Sequence, residues 1–486
     1  MSKRNKTLIL SVAIVVAVFA VGGIVLNQVA AHQLRKELAA IPGTKFDFKH
    51  VNISLFAGNV EVKGVDVTVQ DSTGTNPQIQ GHVGALKLEH IQWFGLFKGK
   101  AIAKRLVVKD GSIGLCGQKD ATKLSAKGIN LAIHDIGYVM ADSSVVYNDS
   151  LYSVAVDSLD YIDAQGLSRI QIGHFATADA GPVEALGMRM YNCVPQEALA
   201  EKMGKVSVMW YDVKLDSLYT SPLNLPRMAK AQSIEIESIG LSGPEIVLLQ
   251  DDRYPPAVPY PTIQESLNTV KMPLRIGQID ARVKLFTFLW ETTHVNRGAF
   301  PMHNLNLTLK SVSNAPGNVM EMDIKSGRKG KARLDFSLFI KNDKKESTRG
   351  RMLIYNLEAS SLDPFMRPLF GATATADIHK IDSQFKGDKD QMTNDFCMSY
   401  ENLVLHAWDD ANAPIQIVAK NSGAINFLAN LAVPKANPVV EGKDPKVVEA
   451  QFERDPWLPY PSYLIRNLTS GMLKTVLPGG AVKKAK

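Results

Sequence analysis

The sequence predicts a mainly β protein: one N-terminal transmembrane helix, then antiparallel sheet with few short helices. Three observations predict it. Thr7–Leu26 is twenty residues without a charged side chain, enough as a helix to cross the hydrocarbon core of a bilayer. From Phe46 onward, short runs alternate apolar and polar residues with a period of two, as a strand with one buried face requires. Gly, Pro, Asn and Asp separate these runs and amphipathic helices do not intervene, which favours antiparallel sheet over βαβ units.

Lys3, Arg4 and Lys6 precede the apolar stretch and place the N-terminus in the cytoplasm, with everything after Leu26 on the far side. Val29-Ala30-Ala31 offers small residues for cleavage of a leader. The stretch exceeds the roughly 7–15 apolar residues of a secretory leader, so a retained signal anchor is expected. Ala30–Ala40 reads as a helix leaving the membrane surface and ending near Pro42 and Gly43.

The first strands follow at once. Phe46, Phe48, Val51, Ile53 and Leu55 alternate with polar residues, Ala57-Gly58-Asn59 supplies a turn, and Val60, Val62, Val65, Val67 and Val69 return. The apolar parity slips at His50/Val51 and at Gly64, which implies bulges. Alternation recurs at Leu86/Leu88, Leu106/Val108, Ile234/Ile236, Ile279–Leu285, Leu305–Leu309 and Leu334–Ile340. A weak internal echo links Leu106–Leu115, Ile234–Leu241 and, more loosely, Leu274–Val283: two alternating apolar residues, a polar break, then a further apolar residue.

Helical patterns are few. Pro195–Met203 stops at Gly204, Ser221–Ala231 is interrupted by Pro226, and Ile425–Leu431 precedes Pro434. The proline-rich stretch Tyr254–Pro261 reads as a linker, and Asp455–Pro461 as a second. Beyond it Leu464, Ile465, Leu468, Met472, Leu473 and Val476 fall at helical spacing within Ser462–Leu477, with Ser462 as an N-cap. That helix suits a lid, an amphipathic membrane contact, or a helix docked on its own sheet.

The net charge of +7 is concentrated at the ends: Lys3, Arg4 and Lys6 give +3, Lys483, Lys484 and Lys486 another +3, leaving +1 for the body. A nucleic-acid footprint is therefore not expected. Cys116, Cys193 and Cys397 are far apart and outside any CxxC, so buried or free thiols are expected. No nucleophile elbow, zinc-protease helix, phosphate-binding loop or dinucleotide fingerprint occurs. The nearest histidine pairs, His82/His90 and His294/His303, have no familiar metal spacing, so neither a metal nor a cofactor is expected. Asp251-Asp252 and Asp409-Asp410 read as solvated turns. Nothing here suggests an enzyme. What remains is strand after strand with one apolar face, which must close into a barrel, pack on a second sheet, or fold around an apolar ligand.

An anchor, a short basic helix and the hairpin Phe46…Phe48…Val51…Ile53…Gly58…Val60…Val62…Gly64…Val67 resemble the start of AsmA-like proteins. These are bacterial envelope proteins related to chorein-type bridge-like lipid transfer proteins. Met352–Leu357, Asp363–Met366, Tyr400–Leu403 and Leu464–Leu473 resemble their C-terminal part, while residues 110–230 match only in texture. The resemblance implies an elongated, twisted antiparallel sheet curled into a groove. It also implies anchorage in the inner membrane, a body in the periplasm, phospholipid as ligand, and an influence on outer-membrane lipid homeostasis. The alternative from another class is an envelope scaffold or chaperone for outer-membrane proteins that carries no lipid. Phe46, Phe48, Ile53, Val60, Val62, Val65 and Val67 are then expected to line the groove. The implied order is residues 1–42 as tip, anchor and juxtamembrane helix, 43–253 as the first β-groove region, 254–262 as linker, 263–460 as the second region, and 461–486 as amphipathic helix and basic tail.

Overall fold

Alternating apolar residues do become strands. A computed structural model describes residues 44–54, 57–70, 77–96, 100–115, 123–139, 144–291, 297–327, 332–370, 372–407, 433–438 and 442–476. The expected anchor Thr7–Leu26, the helices Ala30–Ala40 and Ile425–Leu431, Asp409-Asp410 and the basic tail lie outside them. Among the described residues no helix is long and apolar enough to cross a membrane. The described chain is mainly β, with few helices. It divides into two compact units, Met1–Cys193 with Ser217–Ala231, and Val194–Asp216 with Gln232–Lys486.

The first unit contains β1 (Thr44–Ser54), β2 (Asn59–Gln70), β3 (Pro77–Ile91), a single helical turn α1 (Trp93–Leu96), β4 (Lys100–Leu115) and β5 (Lys123–Val139). It continues with β6 (Ser144–Val146), β7 (Tyr152–Val156), β8 (Ser158–Ile162), β9 (Ser168–Ala178) and β10 (Pro182–Asn192). β1 to β5 form an antiparallel meander. β5 then pairs with the short strands β6, β7 and β8, and β9 pairs with β7, β8 and β10.

The parity slips take a different form from the bulges expected. Phe48 faces Val65 and His50 faces Lys63, so Lys49 and Gly64 drop out of the ladder together and the register is unchanged on either side. Neither strand carries an extra residue. Gly64 has φ +60°, a conformation open to glycine because it lacks a Cβ. The row continues sideways, since Gly84 and Asp110 are skipped in the next pairing and Asp110 has φ 52°. A second row runs through His90 (φ 54°), Lys104 and Asp135 (φ 51°). Each row places two residues between successive apolar ones while the apolar residues on both sides stay on one face. That is why the pattern reads Val62 then Val65, and Leu88 then Ile91.

The second unit opens with α2 (Gln196–Lys202), β11 (Met209–Pro222, whose last residues belong to the first unit), α3 (Leu225–Ala231, also in the first unit), β12 (Ile234–Ser242) and β13 (Glu245–Asp251). Next come α4 (Ile263–Asn268), β14 (Leu274–Glu291), β15 (Arg297–Ser313), β16 (Val319–Gly327), β17 (Arg333–Lys341) and β18 (Thr348–Glu358). It ends with α5 (Asp363–Phe370), β19 (Ala372–Gly387), β20 (Gln391–Ala407), β21 (Val447–Glu453) and α6 (Tyr460–Val476). Pro226 lies in the first turn of α3 rather than breaking it, with Asn224 Oδ1 accepting from Arg227 N at 2.9 Å as the cap.

β14 to β21 form an antiparallel meander, but the expectation of a wholly antiparallel sheet is corrected at its start: β12 and β13 both run parallel to β14. Parallel neighbours need a crossover of a dozen or more residues. Residues 252–273 supply it, carrying the proline-rich stretch and α4, whose start is fixed by a capping box between Thr262 and Glu265. The internal echo has a structural counterpart here: Ile234, Ile236 and Ile239 pair in register with Leu274, Ile276 and Ile279.

The C-terminal helix begins at Tyr460, earlier than expected, with Pro461 in its first turn and Ser462 buried rather than capping. It docks on its own sheet. Tyr460 and Tyr463 join a core with Leu338, Ile340 and Met392, while Leu468, Met472 and Val476 pack on a second core around Phe396, Met398 and Tyr400.

Candidate functional site

The sheet face of the first unit is where the expected lining residues gather. Phe46 pairs with Val67, Phe48 with Val65, and Ile53 with Val60 across β1 and β2. Phe48, Val60 and Val62 are buried with Leu88, Ile91, Ala103 and Leu106, and Phe46, Ile53 and Val65 pack against them. Val67 is half-buried beside Phe46 and is not part of that cluster. Sequence reasoning missed the contributions of β3 to β5. Leu88, Ile91, Ala103, Leu106, Ile133 and Ile136 continue the same apolar face. The signal was present in the spacing, because Ala101, Ala103, Leu106 and Val108 repeat the slip seen in the first hairpin.

The opposite face is charged. Lys87 and Lys63 lie 3.1 and 3.6 Å from Glu61, and Asp66 lies 2.7 Å from His82. Burial works against ionising Glu61, but Lys87 and then Lys63 outweigh it and hold its carboxyl below the usual value. These ion pairs lie on the side away from the apolar cluster. Among the described residues of this unit the helices are only α1 and α3, four and seven residues long.

Asp251 corrects the reading of a solvated turn, while Asp252 lies in the turn that follows and is half-buried. Asp251 is 2% exposed at the end of β13, directly opposite Glu291 of β14, itself 4% exposed. Two facing carboxylates would repel, and Arg253 stands between them. It donates Nε and Nη2 to Asp251 at 2.9 and 2.8 Å and lies 3.4 Å from Glu291, which also accepts from Arg297 at 3.1 Å. Asp251 in turn holds the guanidinium above its usual value. This group is fully paired, which suits a structural clasp.

Comparison with protein-family models and with curated proteins gave no match. Chemistry must therefore be read from the residues. Among the described residues no group of His, Cys, Asp or Glu is placed to hold a metal ion. Cys193 is exposed and Cys397 half-buried, both free, and burial pushes the Cys397 thiol up. Cys116 and His294 lie outside the described residues. Each CH₂ buried against such a face gains about 0.8 kcal/mol.

Proposed function

We propose that this is an inner-membrane-anchored periplasmic protein whose one-sided β face binds phospholipid acyl chains and passes them through the cell envelope, influencing outer-membrane lipid homeostasis. The observation that carries it is the continuous apolar face from Phe46 to Ile136, backed by a charged opposite face. The resemblance of the hairpin and of the C-terminal motifs to AsmA-like proteins supports it further. Binding of this kind needs no cofactor and no catalytic group.

The test is lipid extraction and mass spectrometry of the full chain, followed by photo-crosslinking in cells. A photoreactive residue at half-buried Val65 is expected to capture phospholipid, and one at exposed Lys63 is not. Equal labelling at both positions defeats the one-sided face. Outer-membrane protein captured at Val65, with no lipid at any position, selects instead an assembly scaffold or chaperone.

A further inference from the structure

The apolar face of the first unit has a gap in one of its rows. Phe46 of β1, Val67 of β2, Gly81 of β3, Ile113 of β4 and Ala126 of β5 are successive partners across the strands. Phe46 packs on the apolar cluster, so this row lies on that face. Gly81 alone in the row brings no side chain. A Cβ there would have Ser112 O at 3.7 Å and Val67 Cβ at 3.9 Å as its nearest neighbours, both ordinary contact distances.

The adjacent row faces the other way, as the alternation of a strand requires. Lys45, Thr68, Gln80, Gly114 and Ser125 pair in succession. A Cβ at Gly114 would meet Gln80 O at 3.9 Å. Two glycines with room for a side chain therefore stand on neighbouring strands and opposite faces.

Exposure distinguishes the two ends of the apolar face. Leu88 and Leu106 are buried and Trp93 packs on their cluster, so the protein fills that end itself. Val67, Gly81 and Ile113 are half-buried. Dimensions and chemistry then select the occupant. Strands about 4.8 Å apart make the row from β1 to β5 about 19 Å long. One acyl chain spans about half of a bilayer's roughly 30 Å hydrocarbon core, so a whole chain fits along the row. A polypeptide laid there would press backbone N–H and C=O groups against side chains unable to pair with them. A hydrocarbon chain carries no such groups.

We propose that Gly81 is where a phospholipid acyl chain beds into the face, running across the strands along the row from Phe46 to Ala126. This rests on the lipid-binding function above. Full-length protein in detergent is incubated with sub-saturating dioleoyl phosphatidylcholine and repurified, and the retained phospholipid is extracted and measured. Gly81→Ile is expected to retain about tenfold less than the wild type, the weight of roughly two CH₂ groups denied contact. Gly114→Ile, the same change on the other face, is expected to retain as much as the wild type. Melting curves identify a variant that fails to fold. In that case Gly81→Ala and Gly114→Ala replace the pair, with a loss of about fourfold expected at Gly81 alone, the weight of one methyl. A photoreactive residue at Ile113 is expected to capture phospholipid. Equal loss in both variants, or loss in neither, overturns the gap at Gly81 and leaves the acyl-binding function standing. Capture at Ile113 of another segment of this chain, or of another protein, in place of lipid overturns the acyl chain as occupant. A wild type that retains no phospholipid overturns the function itself.

Discussion

Single residues in this protein hold charge at strand crossings. Arg351 donates Nε and Nη2 to the two oxygens of Asp382 at 3.0 and 2.7 Å, and Lys380 adds a contact at 3.1 Å. Arg351 above all, against the opposing effect of burial, keeps the Asp382 carboxyl below its usual value. A carboxyl whose folded value lies below the unfolded one stabilises the fold above about pH 4, and that stability is lost as pH falls through the folded value. Asp382→Asn is therefore expected to cost about 1 kcal/mol at pH 7, a figure kept small because Arg351 is partly exposed. The deficit should shrink in urea melts as pH falls below about 4 and through the lowered folded value; a deficit unchanged with pH rules out the charge as its cause.

At the scale of elements, helix α6 shows how one small residue sets a packing distance. A Cβ at Gly471 would clash with Cγ and Cβ of Phe396, which is fully buried at 0% exposed. Beneath the same helix, Ser383 Oγ donates to Asn394 Oδ1 at 2.9 Å, and Asn394 Nδ2 donates to the Asn467 carbonyl at 3.3 Å. Alanine would favour an isolated helix by about 1 kcal/mol. Overpacking a closed core costs about 1–3 kcal/mol, so Gly471→Ala is expected to lower stability overall. A melting temperature equal to or above that of the wild type would show that the helix floats free of its sheet. The same docking means that a chain cut before Tyr460 exposes two cores, rather than merely losing a membrane contact.

At the scale of the molecule, the two units treat their apolar faces differently. The second packs the long helix α6 on two of its apolar clusters, whereas the described helices of the first are short. The proposed export of both units is testable by a reporter that works only outside the cytoplasm. Alkaline phosphatase fused after Lys486 is expected to be active, and an inactive fusion with intact protein in the membrane would place the body in the cytoplasm.

The β class, the short helix before Gly204 and the shared apolar face of Phe46, Phe48, Ile53, Val60, Val62 and Val65 were legible in the sequence. Period-two alternation and a stop glycine are local, and each strand declares which side it buries without knowing its neighbour. Local pattern left partners undetermined. It marked Gly64 as a slip, but only the joint loss of Lys49 and Gly64 from the ladder showed both strands stepping together. It found the echo of Ile234–Leu241 in Leu274–Val283, but not that the two lie side by side in parallel. Asp251 looked like a turn because its burial depends on Glu291 and Arg253, one of them forty residues away along the chain. The burial of Asp251 was decided by tertiary structure alone, because desolvation and distance to charge belong to the folded neighbourhood and not to the residue.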